Sequence, residues 1–287
     1  MKKAYVYYIF ALLLFGTNGI VANYIQLSGY EIVFYRTLIG SMLLLLILLL
    51  KKEMLIFYKY KKQFLFLIIS GIAMGFSWIF LYEAYDLIGV GIASLIYYCG
   101  PVIVMALSPL IFKEKLTYNK IVGFLSVFCG ILFVNGAFSL FQNNNLGIIC
   151  ALISALMYSF MIIFNKKAAP ISGIENSFIQ LFVSFLTVAV FTGIKQGLLI
   201  SVDSNSIFPL LFLGLVNTGL GCYLYFSKLE KLPVQTVSIL GYLEPLSAVM
   251  FSALILNESM NTFQIIGTIF IIGGALFAEC FKLPIKK

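Results

Sequence analysis

From Leu38 to Leu50 the chain carries no charged side chain, and similar apolar stretches recur down to the C-terminus. A helix needs roughly 20 apolar residues to cross the hydrocarbon core of a bilayer. Ten windows meet that need: 4–24, 31–50, 64–82, 90–112, 120–139, 146–165, 175–194, 207–226, 234–256 and 262–281. The stretches are continuously apolar, where barrel strands would alternate every second residue, so helices are expected. Composition agrees: 62% of the residues are hydrophobic and 10% charged, against about 25% charged in soluble domains. The expectation is an all-α integral membrane protein with ten transmembrane helices.

Charge placement orients these helices. Lysines cluster at the start (Lys2, Lys3), in every second loop, and at the end (Lys282, Lys286, Lys287). The loop clusters are Lys51, Lys52, Lys59, Lys61 and Lys62; Lys113, Lys115 and Lys120; Lys166 and Lys167; and Lys228 and Lys231. Of the 19 basic residues only Arg36 and Lys195 fall elsewhere. The positive-inside rule makes the lysine side the cytoplasm, with both termini inside and the protein multi-pass in the inner (plasma) membrane. The net charge of +8 is thereby a topology signal, and no nucleic-acid partner is expected. Met1-Lys2-Lys3 before an apolar run also resembles a signal peptide, but the repeat below gives the first span an internal counterpart and implies that it is retained.

Internal repeats set the next constraint. Leu27-Ser28-Gly29-Tyr30-Glu31 faces Ile171-Ser172-Gly173-Ile174-Glu175, an offset of 171 − 27 = 144 residues. At the same offset Ser94, Tyr98 and Pro101 face Ser238, Tyr242 and Pro245, and Gly123 and Gly130 face Gly267 and Gly274. Each unit, 1–140 and 146–287, holds five spans. An odd number makes the second unit enter from the opposite side, giving two inverted five-helix repeats, a plan of secondary transporters.

These features resemble the drug/metabolite transporter superfamily, in particular its ten-helix EamA-type members, over nearly the whole chain. The resemblance rests on the two-unit plan, Phe34-Tyr35-Arg36, Tyr242-Leu243-Glu244-Pro245, and Phe112-Lys113-Glu114-Lys115-Leu116-Thr117 followed by Gly123 and Gly130. Asn257-Glu258 with Gly267 and Gly274 echoes the last. The first copy departs from the second, since Tyr98-Cys99-Gly100-Pro101 lacks the acid of Glu244. The resemblance implies export of amino acids or other small metabolites, with cavity walls from the first, third, fourth, sixth, eighth and ninth spans.

Glu244 is the sharpest candidate for substrate or proton binding. A charge at mid-span costs about 2.5–3.5 kcal/mol on insertion scales, so it must face a cavity, find a partner or be neutral. Arg36 could take a substrate carboxylate through its planar fork, or snorkel to the outer surface or pair with Glu31 or Glu244; the structural reading is favoured because outer headgroups are within its reach. Asn18, Trp78, Tyr82, Tyr97, Tyr98, Tyr158, Asn217, Tyr223 and Tyr242 lie inside spans; polar-tipped aromatics suit a pocket for a small amphipathic molecule, and also suit helix packing. Glu114 and Glu258 precede Thr117 and Asn261, which read as helix N-caps. Glu83 and Asp86 read as a solvated edge. The glycines on the fifth and tenth spans offer a smooth face for contact within the chain or in a homodimer.

The chain has no histidine, no paired intramembrane acids, no metal-ligand spacing and no Gly-rich phosphate loop. No enzyme activity, catalytic residue, metal or cofactor is expected. The leading expectation is a secondary transporter working by alternating access, with membrane lipid around it and a small molecule inside. A membrane-embedded receptor or scaffold is the alternative, and it leaves the repeat unexplained.

Overall fold

The computed structural model describes residues 2–51, 55–134, 145–195, 197, 202–255 and 262–280, and the described residues hold helices and no strand. Lys52, Glu258, Asn261, Lys282, Lys286 and Lys287, with residues 135–139, 256 and 281 of the expected spans, lie outside them. In order the helices are α1 (Lys2–Gly16), α2 (Asn18–Ala22), α3 (Gly29–Lys51), α4 (Lys61–Ile88), α5 (Val90–Tyr97), α6 (Gly100–Phe112) and α7 (Tyr118–Val134). Then come α8 (Asn145–Lys167), α9 (Gly173–Lys195), α10 (Ser204–Phe212), a π-helical segment (Leu213–Leu220), α11 (Gly221–Phe226), α12 (Val234–Gly241), α13 (Leu243–Ile255) and α14 (Thr262–Cys280).

Among the described residues six helical stretches are long and apolar enough to cross a membrane: 2–22, 29–51, 61–88, 145–167, 173–195 and 204–231. The expected spans 90–112 and 234–256 are each two shorter helices. Proline explains both breaks. Pro101 and Pro245 have no N–H for the carbonyls four residues back, those of Tyr97 and Gly241. The chain turns at Tyr98-Cys99 and at Tyr242. The first span also breaks, at Thr17, whose hydroxyl donates to the Leu14 carbonyl at 2.7 Å.

Packing builds two regions. α4 lies on α8 and α9, and the π segment lies on α3 and α1. α7 and α14 pair along their length. A Cβ added at Gly123 would sit 2.5 Å from the Gly274 carbonyl oxygen, and one at Gly130 would sit 2.7 Å from that of Gly267. Backbones this close admit no side chain, and Ser126 donates across the pair to the Phe270 carbonyl at 3.0 Å. The glycine face is thus used within the chain. Large apolar side chains cover the perimeter, Ile194, Leu110 and Phe208 among them, a surface that suits lipid and not water.

The loop acids do specific work. Glu114 accepts the N–H groups of Val234 at 2.8 Å and Gln235 at 3.2 Å, so it caps the start of α12 and not its own following helix, where a carboxylate meets unpaired donors and the positive end of the dipole. Glu83 is no mere solvated edge: it pairs with Lys195 at 2.6 Å, and Lys195 also donates to the Tyr30 hydroxyl at 2.7 Å. That contact joins α4, α9 and α3 at one end of the molecule.

Candidate functional site

The breaks in α1–α2, α5–α6 and α12–α13 meet around one cavity of about 510 Å³. α13 starts after the turn at Tyr242, which puts Glu244 in its first turn. Glu244 lines the cavity, and the helix N-terminus beside it favours a carboxylate. Among the described residues no hydrogen bond or ion pair reaches its carboxylate; the backbone carbonyl accepts from Ser247 at 2.8 Å. Its counterpart Gly100 has a different task. Ser159 donates to the Gly100 carbonyl at 3.0 Å, and a Cβ there would lie 2.7 Å from the Tyr158 ring. α6 is pressed onto α8 where α13 instead presents an acid.

Seven of the ten expected site residues line this cavity: Asn18, Trp78, Tyr82, Tyr97, Tyr98, Tyr158 and Glu244. Three are placed elsewhere. The Asn217 amide nitrogen is turned to the α1–α2 break, its two N–H groups shared among Leu14 O at 3.2 Å, Thr17 Oγ1 at 2.8 Å and Asn18 Oδ1 at 2.9 Å, while its Oδ1 is buried with no hydrogen-bond partner among the described residues. The Tyr242 hydroxyl donates to the Tyr98 carbonyl at 2.8 Å, and its buried ring packs with Phe124 on the α7–α14 side. Tyr223 lies beside Lys51, whose ammonium is 5.9 Å from its ring centroid.

Arg36 departs most from its sequence reading. It does not snorkel: it is 4% exposed and lines the cavity. Its guanidinium lies 4.6 Å from the Trp78 ring centroid, and its Nε donates to Thr218 Oγ1 at 2.9 Å. The sequence also missed Tyr85, Tyr225, Met74 and Met161 on the wall. Their only signal was an aromatic or methionine within an apolar stretch, which marks packing as often as a pocket.

The cavity has an open and a closed end. Gly19, Asn23 and Val90 line it and are exposed, whereas Tyr158, Tyr225 and Phe226 line it and are buried. Beyond these, Tyr8 seals the closed end, donating to the Val237 carbonyl at 3.0 Å and hydrogen-bonding with the Tyr225 hydroxyl at 3.3 Å. Aromatic faces, a few polar tips and one charge of each sign can hold a small amphipathic molecule; among the described residues no group of His, Cys, Asp and Glu is placed to hold a metal.

The chain is 26% identical to the uncharacterized transporter YxxF of Bacillus subtilis, covering 95% of this chain and 88% of that one. An uncharacterized transporter of Clostridium kluyveri is 23% identical over 96% and 93% of the two chains. A protein named as a probable amino-acid metabolite efflux pump of Salmonella typhimurium is 26% identical, covering 69% of each. A solved crystal structure superposes with a TM-score of 0.81 at 17% identity, over 96% of this chain and 97% of that one, which shows a shared fold. The model of the EamA-like transporter family matches residues 2–136 and again 145–279. This multi-pass membrane protein belongs to the EamA-like transporter family.

Proposed function

We propose that the protein exports a small amphipathic metabolite, an amino acid or a relative of one, from the cytoplasm by alternating access. The cavity carries this reading: among the described residues it lies inside an apolar perimeter, holds a carboxylate with no ion pair, and is lined by exposed residues at one end and buried ones at the other. The Salmonella relative's name supports the substrate class. The lysine-rich loops support an inner-membrane orientation with cytoplasmic termini and the open end facing outward.

The reading includes ten crossings in two inverted halves, 1–140 and 146–287. Exchanged contacts support a two-fold relation between them. Gly123 meets Gly274 while Gly130 meets Gly267, and these are the 144-residue partners swapped, as an isologous contact requires. Ser126 and Phe270, and Tyr98 and Tyr242, are partners that touch each other. Such halves can rock about a central site.

Trp78 is the chain's single tryptophan and lines the cavity, so its fluorescence reports on binding. Purified protein in nanodiscs is titrated with amino acids and related metabolites, and cells lacking or overproducing the protein are profiled for metabolites. A shift of Trp78 emission and an altered extracellular pool for the same compound are expected. No change in either across the panel removes the transporter reading.

A further inference from the structure

Arg36 is the chain's one arginine, and the structure spends little of it. A guanidinium has five N–H donors in a fixed fork. One, on Nε, goes to Thr218 Oγ1 at 2.9 Å, and one face lies on Trp78. Among the described residues no carboxylate makes an ion pair with it. Glu244 lines the same cavity and acts on it through space, but without a direct ion pair the guanidinium's N–H donors are left to a ligand, and a buried cation at membrane depth needs such partners. Arg36 lines the cavity, and the terminal edge of a guanidinium has the geometry that takes a carboxylate through two parallel bonds.

The chain around Arg36 is built to fix its direction. The Thr218 hydroxyl donates to the Leu213 carbonyl, five residues back, at 2.9 Å, and accepts from Arg36 with its lone pair. It sits in the π-helical segment, and π turns inside α-helices are frequent at functional sites. Four residues along α3 from Arg36, a Cβ on Gly40 would lie 3.1 Å from the Gly219 nitrogen and 3.1 Å from the Thr218 methyl. Bare backbone at Gly40 therefore lets the π segment come close enough for the Arg36–Thr218 bond. The next-door residue, Asn217, holds the α1–α2 break and Asn18 on the cavity wall.

We propose that Arg36 is the anchor for an anionic group of the transported molecule, a carboxylate or comparable oxyanion, and that Thr218 is the residue that positions it. This rests on the transport reading above and assigns one end of its substrate. The bound molecule lies with its anion against Arg36 and Trp78 and its apolar part among the cavity tyrosines.

The test titrates the full-length protein with amino acids and simple monocarboxylic acids, each paired with its own carboxamide, and follows Trp78 emission and transport in proteoliposomes. Wild type binds the acid more tightly than the amide, and Arg36→Gln weakens the acid about 10- to 100-fold, the scale of charge-assisted hydrogen bonds, while changing the amide little. Thr218→Val raises KM for the acid with the rate at saturation unchanged, and Thr218→Ser restores KM. If wild type treats acid and amide alike, or if Thr218→Val and Arg36→Gln weaken both equally, the anion subsite is overturned while transport stands. If no compound of the panel is bound or carried, the transport reading falls and the subsite with it.

Discussion

A carboxylate in an apolar stretch is conspicuous because hydrocarbon cannot solvate it, and on that ground Glu244 stood out in the sequence and does line the cavity. Glu244→Gln keeps the size and removes the titrating charge. In proteoliposomes with an imposed pH gradient, this variant is expected to lose at least about tenfold in gradient-driven transport, equivalent to about 1.4 kcal/mol, with its thermal melt retained. Full gradient-driven transport by the variant would exclude a proton carried at Glu244. Arg36 was equally visible as a charge, but its surroundings were not. Thr218 and Trp78 against the guanidinium exclude snorkelling. Asn217 and Tyr242 show the opposite case. Both are polar groups in spans whose donors go to neighbouring helices, that of Tyr242 to the Tyr98 carbonyl and those of Asn217 to Leu14 O, Thr17 Oγ1 and Asn18 Oδ1. A sequence shows which groups need a partner at membrane depth; it does not show whether helix or cavity supplies one.

At the scale of the element, apolar length was legible and continuity was not. The stretches 31–50, 64–82, 146–165 and 175–194 fall within α3, α4, α8 and α9. The stretches 90–112 and 234–256 hid breaks, though Pro101 and Pro245 were in view, because a transmembrane helix can also carry proline when its neighbours satisfy the freed carbonyls. Pro245→Ala lets residue 245 donate to the Gly241 carbonyl and extends α13 backward through the turn. The melting temperature is expected to rise and the transport rate to fall; a faster transporter would show that the break does not serve the cycle. The α7–α14 pair offers a second check. Gly123→Leu forces side-chain atoms between two backbones already in contact, an overpacking that costs about 1–3 kcal/mol. Gly273→Leu, with nothing within 4 Å of its added Cβ, is the matched control. A lower melt for the first and an unchanged melt for the second are expected; equal melts would deny the close approach.

On the scale of the whole molecule, the cavity is asymmetric about the halves that build it. One end is open past Val90 and Asn23, and the other is held shut by Tyr8 on Tyr225 and the Val237 carbonyl. Lys166 reinforces the same closed region, donating to the carbonyls of Leu229, Glu230 and Leu232. An alternating-access cycle needs these contacts to break and an equivalent closure to form at the other end, so the contacts set the balance of states. Tyr8→Phe deletes two hydroxyl bonds at the closed end and keeps the ring. A neutral hydrogen bond contributes about 0.5–1.5 kcal/mol net, and one to two kcal/mol changes a two-state ratio by about 5- to 30-fold. In a background with the five cysteines replaced, Val90→Cys reports the open end and Val237→Cys the closed end through their reaction with a membrane-impermeant maleimide. Adding Tyr8→Phe is expected to slow labelling at position 90 from outside and to speed labelling at position 237 from the cytoplasmic side of inverted vesicles. The two rates must move in opposite directions, because one population shift drives both. If both rise together, Tyr8 is holding the fold and not a gate, and the closed end must be defined by other contacts.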